Sequence, residues 1–247
     1  MKKSIATLTA TALVLGVGLT GARAESGAKW GYEGEHGPKH WAELSEAFGL
    51  CATGTAQSPI DIPSSAQARP AKIAFDYRPS ALTLLNNGHA IQANYDPGST
   101  IALDGKTYAL LQVHFHAQSE HTRAGEAFPL EMHLVHRAED GTLAVVGAWV
   151  KEGEENTAFA PIWKNLPASE SAPETVAGVT IEADDLLPAD RAAYAYKGSL
   201  TTPPCSEGVH WVMLATPIEM SAAQIAAYHA IYDDTFRPVQ ALNGRKL

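Results

Sequence analysis

The sequence predicts a β-dominated α+β fold, a single domain over residues 25–247. Three observations predict it: short apolar or alternating segments recur along the chain, turn dipeptides separate them, and helical periodicity is weak and local. In chain order the segments are Lys72–Tyr77, Leu82–Leu85, Ala90–Asn94, Leu110–His116, Glu131–His136, Leu143–Val150 and Trp211–Leu214. Asn87-Gly88, Asp104-Gly105 and Asp140-Gly141 fall between them, and such pairs adopt the positive φ that tight hairpins need. The best helical stretch is 221–232, with Ser221 as its cap. A second short helix is expected over 155–166, stopped near Pro167. No repeat and no shift of composition marks a boundary.

Composition narrows the function classes. With 247 residues, 45% of them hydrophobic, the chain can bury a core, which excludes a disordered tail. The 18 basic residues face 27 acidic ones, which argues against a nucleic-acid partner, since phosphate binding needs clustered positive charge. Two cysteines are too few for a cysteine-rich zinc finger or a disulfide-dense miniprotein.

The first residues read as an address. Lys2 and Lys3 precede an uncharged run from Ser4 to Ala22, which closes on the small-x-small pattern Ala22-Arg23-Ala24. This is a secretory signal peptide, 1–24, cut after Ala24. The rival is a membrane anchor, since about 18 uncharged residues can span a bilayer; the threonines, glycines and small-residue site disfavour it. Cleavage removes three basic residues and no acidic ones, taking the formal charge from −9 to −12. Export leads to an oxidising compartment, where Cys51 and Cys205 are either bridged or two buried thiols; a single pair after a leader favours the bridge.

Three histidines have the spacing a metal requires. Side chains alternate faces along a strand, so in Gln112-Val113-His114-Phe115-His116 the two histidines share a face with Gln112, while Val113 and Phe115 point the other way. In Glu131-Met132-His133-Leu134-Val135-His136, Glu131, His133 and Val135 share a face and His136 lies opposite. The 16 residues between His116 and His133 allow a return to an adjacent antiparallel strand. Three imidazoles with an open fourth position form a catalytic zinc set. Gln112 and Glu131 carry acceptors for the second N–H of a ligating ring. Imidazole suits zinc, iron and copper alike, and histidines are also satisfied in cores, so spacing alone leaves these readings open.

A series of blocks in order resembles the α-class carbonic anhydrases, in their bacterial secreted form. They are Trp30-Gly31-Tyr32, Gly37-Pro38 with Trp41, Gln57 to Ile62, Asn86-Asn87-Gly88-His89, the HFHAQSEH of 114–121, the EMHLVH of 131–136, Ser199 to Cys205, Trp211, and Phe236-Arg237-Pro238. The resemblance implies a central, mostly antiparallel twisted sheet of about ten strands with short peripheral helices. It implies reversible hydration of carbon dioxide to bicarbonate and a proton, with zinc as cofactor. His114, His116 and His133 match the zinc ligands, and neutral ligands leave the ion its full charge. Thr201 matches the hydroxyl that contacts the attacking hydroxide, and Glu120 the carboxylate that takes its proton. Val135, Val145, Leu200 and Trp211 match the apolar wall for an uncharged substrate, and Thr202 sits beside bicarbonate. His89 matches the proton shuttle, a role suited to a group titrating near neutrality. Tyr32 and Asn87 match residues that order its waters. Taken alone, Thr201 reads as a turn residue, Glu120 as a surface charge and His89 as a surface histidine after a turn. Cys51 and Cys205 match the bacterial disulfide, and His121 is expected to buttress the loop carrying Glu120.

One stretch departs from the pattern: Ala117-Gln118 stand where relatives carry Trp or Thr-Pro, which puts packing behind the ligands in question. The implied partners are carbon dioxide and bicarbonate, with no nucleic acid and no membrane after leader removal, in the periplasm; a homodimer is left open. The alternatives are a non-catalytic binding module on the same fold and a zinc esterase. A binuclear hydrolase would need an added metal ligand near the H-x-H, and Ala117-Gln118 supply none.

Overall fold

A computed structural model of the protein describes residues 27–247, so the leader expected over 1–24 lies outside the described residues. The strands are β1 (Asp61–Ile62), β2 (Arg69–Pro70), β3 (Ile73–Asp76), β4 (Ser80–Asn86), β5 (Ile91–Asn94), β6 (Thr100–Leu103), β7 (Lys106–Ala117), β8 (Thr122–Arg123), β9 (Leu130–Ala138), β10 (Leu143–Glu152), β11 (Glu174–Ile181), β12 (Ala192–Ser199) and β13 (Glu207–Met220). The helices are α1 (Trp41–Leu44), α2 (Leu50–Thr53), α3 (Ala160–Trp163) and α4 (Ala222–His229).

The expected sheet of about ten strands is an 11-stranded one, ordered β11-β4-β5-β7-β9-β10-β13-β12-β2, with β6 pairing β3 and β7. Its ladders are antiparallel except β10 with β13, which run parallel. The long central strands have a core on each face. Val113, Phe115, Met132 and Leu134 bury into one cluster, with Phe159, Ile162 and Tyr228. Val145, Trp149, Tyr194, Tyr196, Trp211 and Met213 form the other, where the histidine-bearing face lies.

Local chemistry explains where elements differ from the sequence expectation. Ser221 caps α4 as expected, its Oγ accepting from Gln224 N while Gln224 Oε1 accepts from Ser221 N at 3.0 Å. The helix ends at His229, short of 232, and the freed residues run back to the sheet, where Thr235 N donates to Ala117 O at 3.0 Å. The helix expected over 155–166 is a 3₁₀ turn, Thr157–Phe159, followed by α3. Pro161 in the first turn of α3 lacks the N–H that would join the two into one helix. β11 was not foreseen: it is a mostly exposed edge strand, broken by Gly178 at φ +73, so no alternation marks it. β12 was missed because its alanines carry weak strand propensity; pairing with β13 imposes the conformation.

Candidate metal centre

The period-two faces meet across one ladder. β7 and β9 are antiparallel neighbours, with His114 opposite His133 and His116 opposite Glu131. His136 lies on the far face, its Nε2 2.8 Å from the Tyr77 hydroxyl. Gly147 on β10 sits opposite His133, and a side chain there would overlap the Met213 sulfur. The glycine lets β13 press its methionine against the strand beneath the ligand cluster.

One nitrogen of each ring points inward. His114 Nε2 is 3.1 Å from His116 Nε2, and His133 Nδ1 is 3.2 Å from His114 Nε2. Each ring turns its other nitrogen to an oxygen: His114 Nδ1 to Gln112 Oε1 at 2.8 Å, His116 Nδ1 to Thr235 O at 2.7 Å, and His133 Nε2 to Glu131 Oε1 at 2.6 Å. These acceptors hold the protons on the outer nitrogens, so three lone pairs face one another. Burial pushes the His114 imidazole well below the usual histidine range, helped by the adjacent rings of His116 and His133, and burial also lowers His133. The His114 and His133 rings are therefore neutral, and bare lone pairs at these separations repel unless a cation lies between them. Tetrahedral zinc at about 2.0–2.1 Å from each nitrogen gives N···N separations of roughly 3.3–3.4 Å, close to those here. Glu120 Oε2, buried and 3.5 Å from His116 Nε2, has no hydrogen-bond partner among the described residues. The donor set thus fits one divalent cation with N-ligand preference.

Behind the ligands runs a buried polar chain. Glu131 Oε1 accepts from both His133 and His121, the latter at 2.7 Å, and Oε2 accepts from His121 N at 2.8 Å. Burial works against ionisation of Glu131, but the two histidines beside it prevail and hold its carboxyl well below the usual range. His121 Nε2 then meets the Tyr196 hydroxyl at 2.6 Å, and Tyr196 meets Ser58 Oγ at 2.8 Å. His121 buttresses its loop as expected: its carbonyl accepts from Ser119 Oγ and Trp149 Nε1.

The remaining expected residues fall around this cluster. Val135 and Trp211 both pair with Val145 across the sheet, and Leu200 packs on the same apolar cluster, giving one continuous wall. Trp211 lies 4.9 Å from the His133 ring and donates to Ser199 O. Thr201 is buried and Thr202 half-buried, the latter accepting from Cys205 N through its carbonyl. His89 stacks on Trp30 at 3.7 Å, with Tyr32 at 6.4 Å. The buried Tyr32 hydroxyl has no partner among the described residues, and burial, then Glu120, pushes its pKa well up.

Known proteins match this chain throughout. The eukaryotic-type carbonic anhydrase family matches residues 36–247. The chain belongs to that family. A carbonic anhydrase of Nostoc sp. is 43% identical over 232 residues, covering 91% of this chain and 86% of the relative. The α-carbonic anhydrase from Thermovibrio ammonificans, solved with the inhibitor sulfanilamide, superposes with a TM-score of 0.85 at 41% identity, covering 89% of this chain and 98% of that one. Dioscorin complexed with ascorbate shares the fold with a TM-score of 0.80 at 27% identity, covering 88% of this chain and 96% of that one. The enzyme is thus a carbonic anhydrase, and its family's reaction is carbon dioxide hydration.

Two of the expected residues make further contacts. Glu120 Oε1 is held by Arg237 N at 3.0 Å, while Oε2 has no hydrogen-bond partner among the described residues. Asn87 Oδ1 accepts from His89 N at 3.0 Å and Ala90 N at 2.8 Å to close the turn. The Ala117-Gln118 departure leaves no gap. Ala117 is fully buried, its N donating to Thr235 Oγ1 at 2.9 Å, and Gln118 reaches Asp234.

Sequence reasoning missed the strap formed by residues 235–237. Thr235 holds His116, and Arg237 ties Glu120 to Gln57, Ser58 and Cys51. Thr235 acts through a backbone carbonyl, which any residue carries, so no side-chain signal marked it. Cys51 and Cys205, 154 residues apart, are joined by a disulfide that pins the Thr201–Thr202 turn to the chain behind Arg237.

Proposed function

We propose that the enzyme hydrates carbon dioxide with a zinc ion held by His114, His116 and His133 and passes the product proton to His89. The convergence of three imidazole nitrogens, each ring fixed from behind, carries this reading. Zinc, when bound, supplies a Lewis acid that makes water nucleophilic near neutral pH, and carbonic anhydrase is the standard example of that effect.

The chain's own groups do the rest. Gln112, Thr235 and Glu131 hold the tautomers that keep inner lone pairs available. Glu120, anchored by Arg237, keeps Oε2 free as the acceptor for the Thr201 hydroxyl proton; Thr201 then accepts from the nucleophile and aims it. Val135, Val145, Leu200 and Trp211 supply an apolar wall for a substrate without charge, and Thr202 is placed to donate to bicarbonate. His89, at the cluster's rim beside Trp30 and Tyr32, collects the proton through water. Export through the leader 1–24 to the periplasm is part of the proposal, supported by the disulfide. Among the described residues no helix is long and apolar enough to cross a membrane.

A binding role without catalysis is the second reading, favoured by the dioscorin–ascorbate likeness. Stopped-flow hydration by the purified protein, before and after metal stripping, decides between the two. Hydration lost on stripping and restored by zinc is the expected outcome. A folded, zinc-loaded protein that does not hydrate carbon dioxide refutes the proposal.

A further inference from the structure

A carboxylate from a distant segment stands over the turn that carries His89. The segment 167–171 is laced to the end of β4: Ser171 N donates to Asn86 O at 2.9 Å, Asn86 N to Ser171 Oγ at 3.2 Å, and Asn86 Nδ2 to Pro167 O at 3.1 Å. Tyr232 adds a hydroxyl bond to Asn86 Oδ1, which also accepts from Gly88 N. This lacing holds Glu170 Oε2 3.6 Å from where a side chain on Gly88 would begin. Gly88 has φ +83 and no side chain, so nothing of its own separates Glu170 from the turn. Glu170 is exposed and makes no ion pair among the described residues.

We propose that Glu170 is a positioning residue for proton transfer, its carboxylate stabilising the imidazolium form of His89 at the mouth of the site. The inference rests on the shuttle reading above and adds what favours the charged state of that histidine. The groups around His89 are Trp30, stacked on the ring, Tyr32 at its edge, and Glu170 over the adjoining Gly88, with Tyr232 bonded to Asn86 behind the turn. Of these only Glu170 is a carboxylate. Partial burial lowers the basicity of His89, and Glu170 opposes that loss. A shuttle must both take a proton from the site and give it to buffer, so its basicity has to sit near the working pH.

The test is the titration of His89 in the zinc-loaded protein, read from its imidazole NMR signal and assigned by loss in His89→Ala. Glu170→Gln keeps shape and lacing but removes the charge. The midpoint is expected to fall by about 0.3–0.5 pH unit in dilute salt, the size of a solvent-screened contact between single charges, and to converge with wild type in about 0.5 M salt. Glu170→Asp should restore most of the shift. The acid limb of the hydration turnover profile should move with the midpoint, since His89 must be neutral to accept the product proton. An unmoved midpoint in Glu170→Gln overturns the proposal. If the midpoint moves but His89→Ala turns over normally in dilute buffer, the shuttle reading fails, and with it the catalytic half of the proposal.

Discussion

Acid should destabilise this enzyme through a histidine that has no part in catalysis. His136 is fully buried on the face of β9 opposite the ligands. Its Nε2 bonds the Tyr77 hydroxyl, and its Nδ1 has no hydrogen-bond partner among the described residues. Burial pushes its pKa from 6.5 down to about 3. The unfolded chain takes up this proton near pH 6.5 and the folded one resists until about pH 3. A depressed histidine therefore contributes stability that is complete above its unfolded pKa and is lost as pH falls toward its folded one. At about pH 4.5, two units below the unfolded pKa, the loss is roughly 3 kcal/mol at about 1.4 kcal/mol per unit. His136→Gln removes the titration together with the Tyr77 bond, a loss of about 1–2 kcal/mol at neutral pH. Tyr77, pushed well up by burial, stays neutral throughout. The assay is urea unfolding of both proteins between about pH 7.5 and 4.5, where the ligand histidines titrate alike in each and cancel. Wild type should lead by about 1–2 kcal/mol at neutral pH, lose about 3 kcal/mol relative to the variant on acidification, and so fall about 1–2 kcal/mol below it near pH 4.5. A stability gap that does not change with pH refutes the reasoning.

Four further outcomes follow from the same geometry. Glu131→Gln should weaken zinc binding about 10–100-fold, measured by chelator competition, because one carboxylate anchors both His133 and His121. His89→Ala should keep its zinc and slow turnover in dilute buffer, with concentrated imidazole buffer restoring the rate; a rate equally low in every buffer removes the shuttle role. Reduction of Cys51–Cys205 should lower stability by about 2–5 kcal/mol in urea titrations with and without reductant. Gly147→Ala forces Met213 aside and should cost about 1–3 kcal/mol, seen as a lower urea midpoint; an unchanged midpoint would show that the methionine yields freely.

The sequence by itself determined the ligand face. Gln112, His114 and His116 share a side because strand geometry alternates, and that rule needs no neighbour. The Asn87-Gly88 turn, the Ser221 cap and the separation of His136 from His133 are local in the same sense, and the structure realises each. Tertiary structure decided everything that depends on a partner far along the chain. Thr235 reaches His116 across 119 positions and Tyr196 reaches His121 across 75. Glu170 comes to the His89 turn only because Ser171 and Pro167 dock on Asn86. β11 and β12 became strands through their neighbours, since an exposed edge with a positive-φ glycine and an alanine-rich run lack a periodic signal. Alternation is fixed by bonds within each residue and is visible in one dimension. Which carbonyl, hydroxyl or carboxylate meets a given ring is fixed by packing between segments, and only the folded chain brings those segments together.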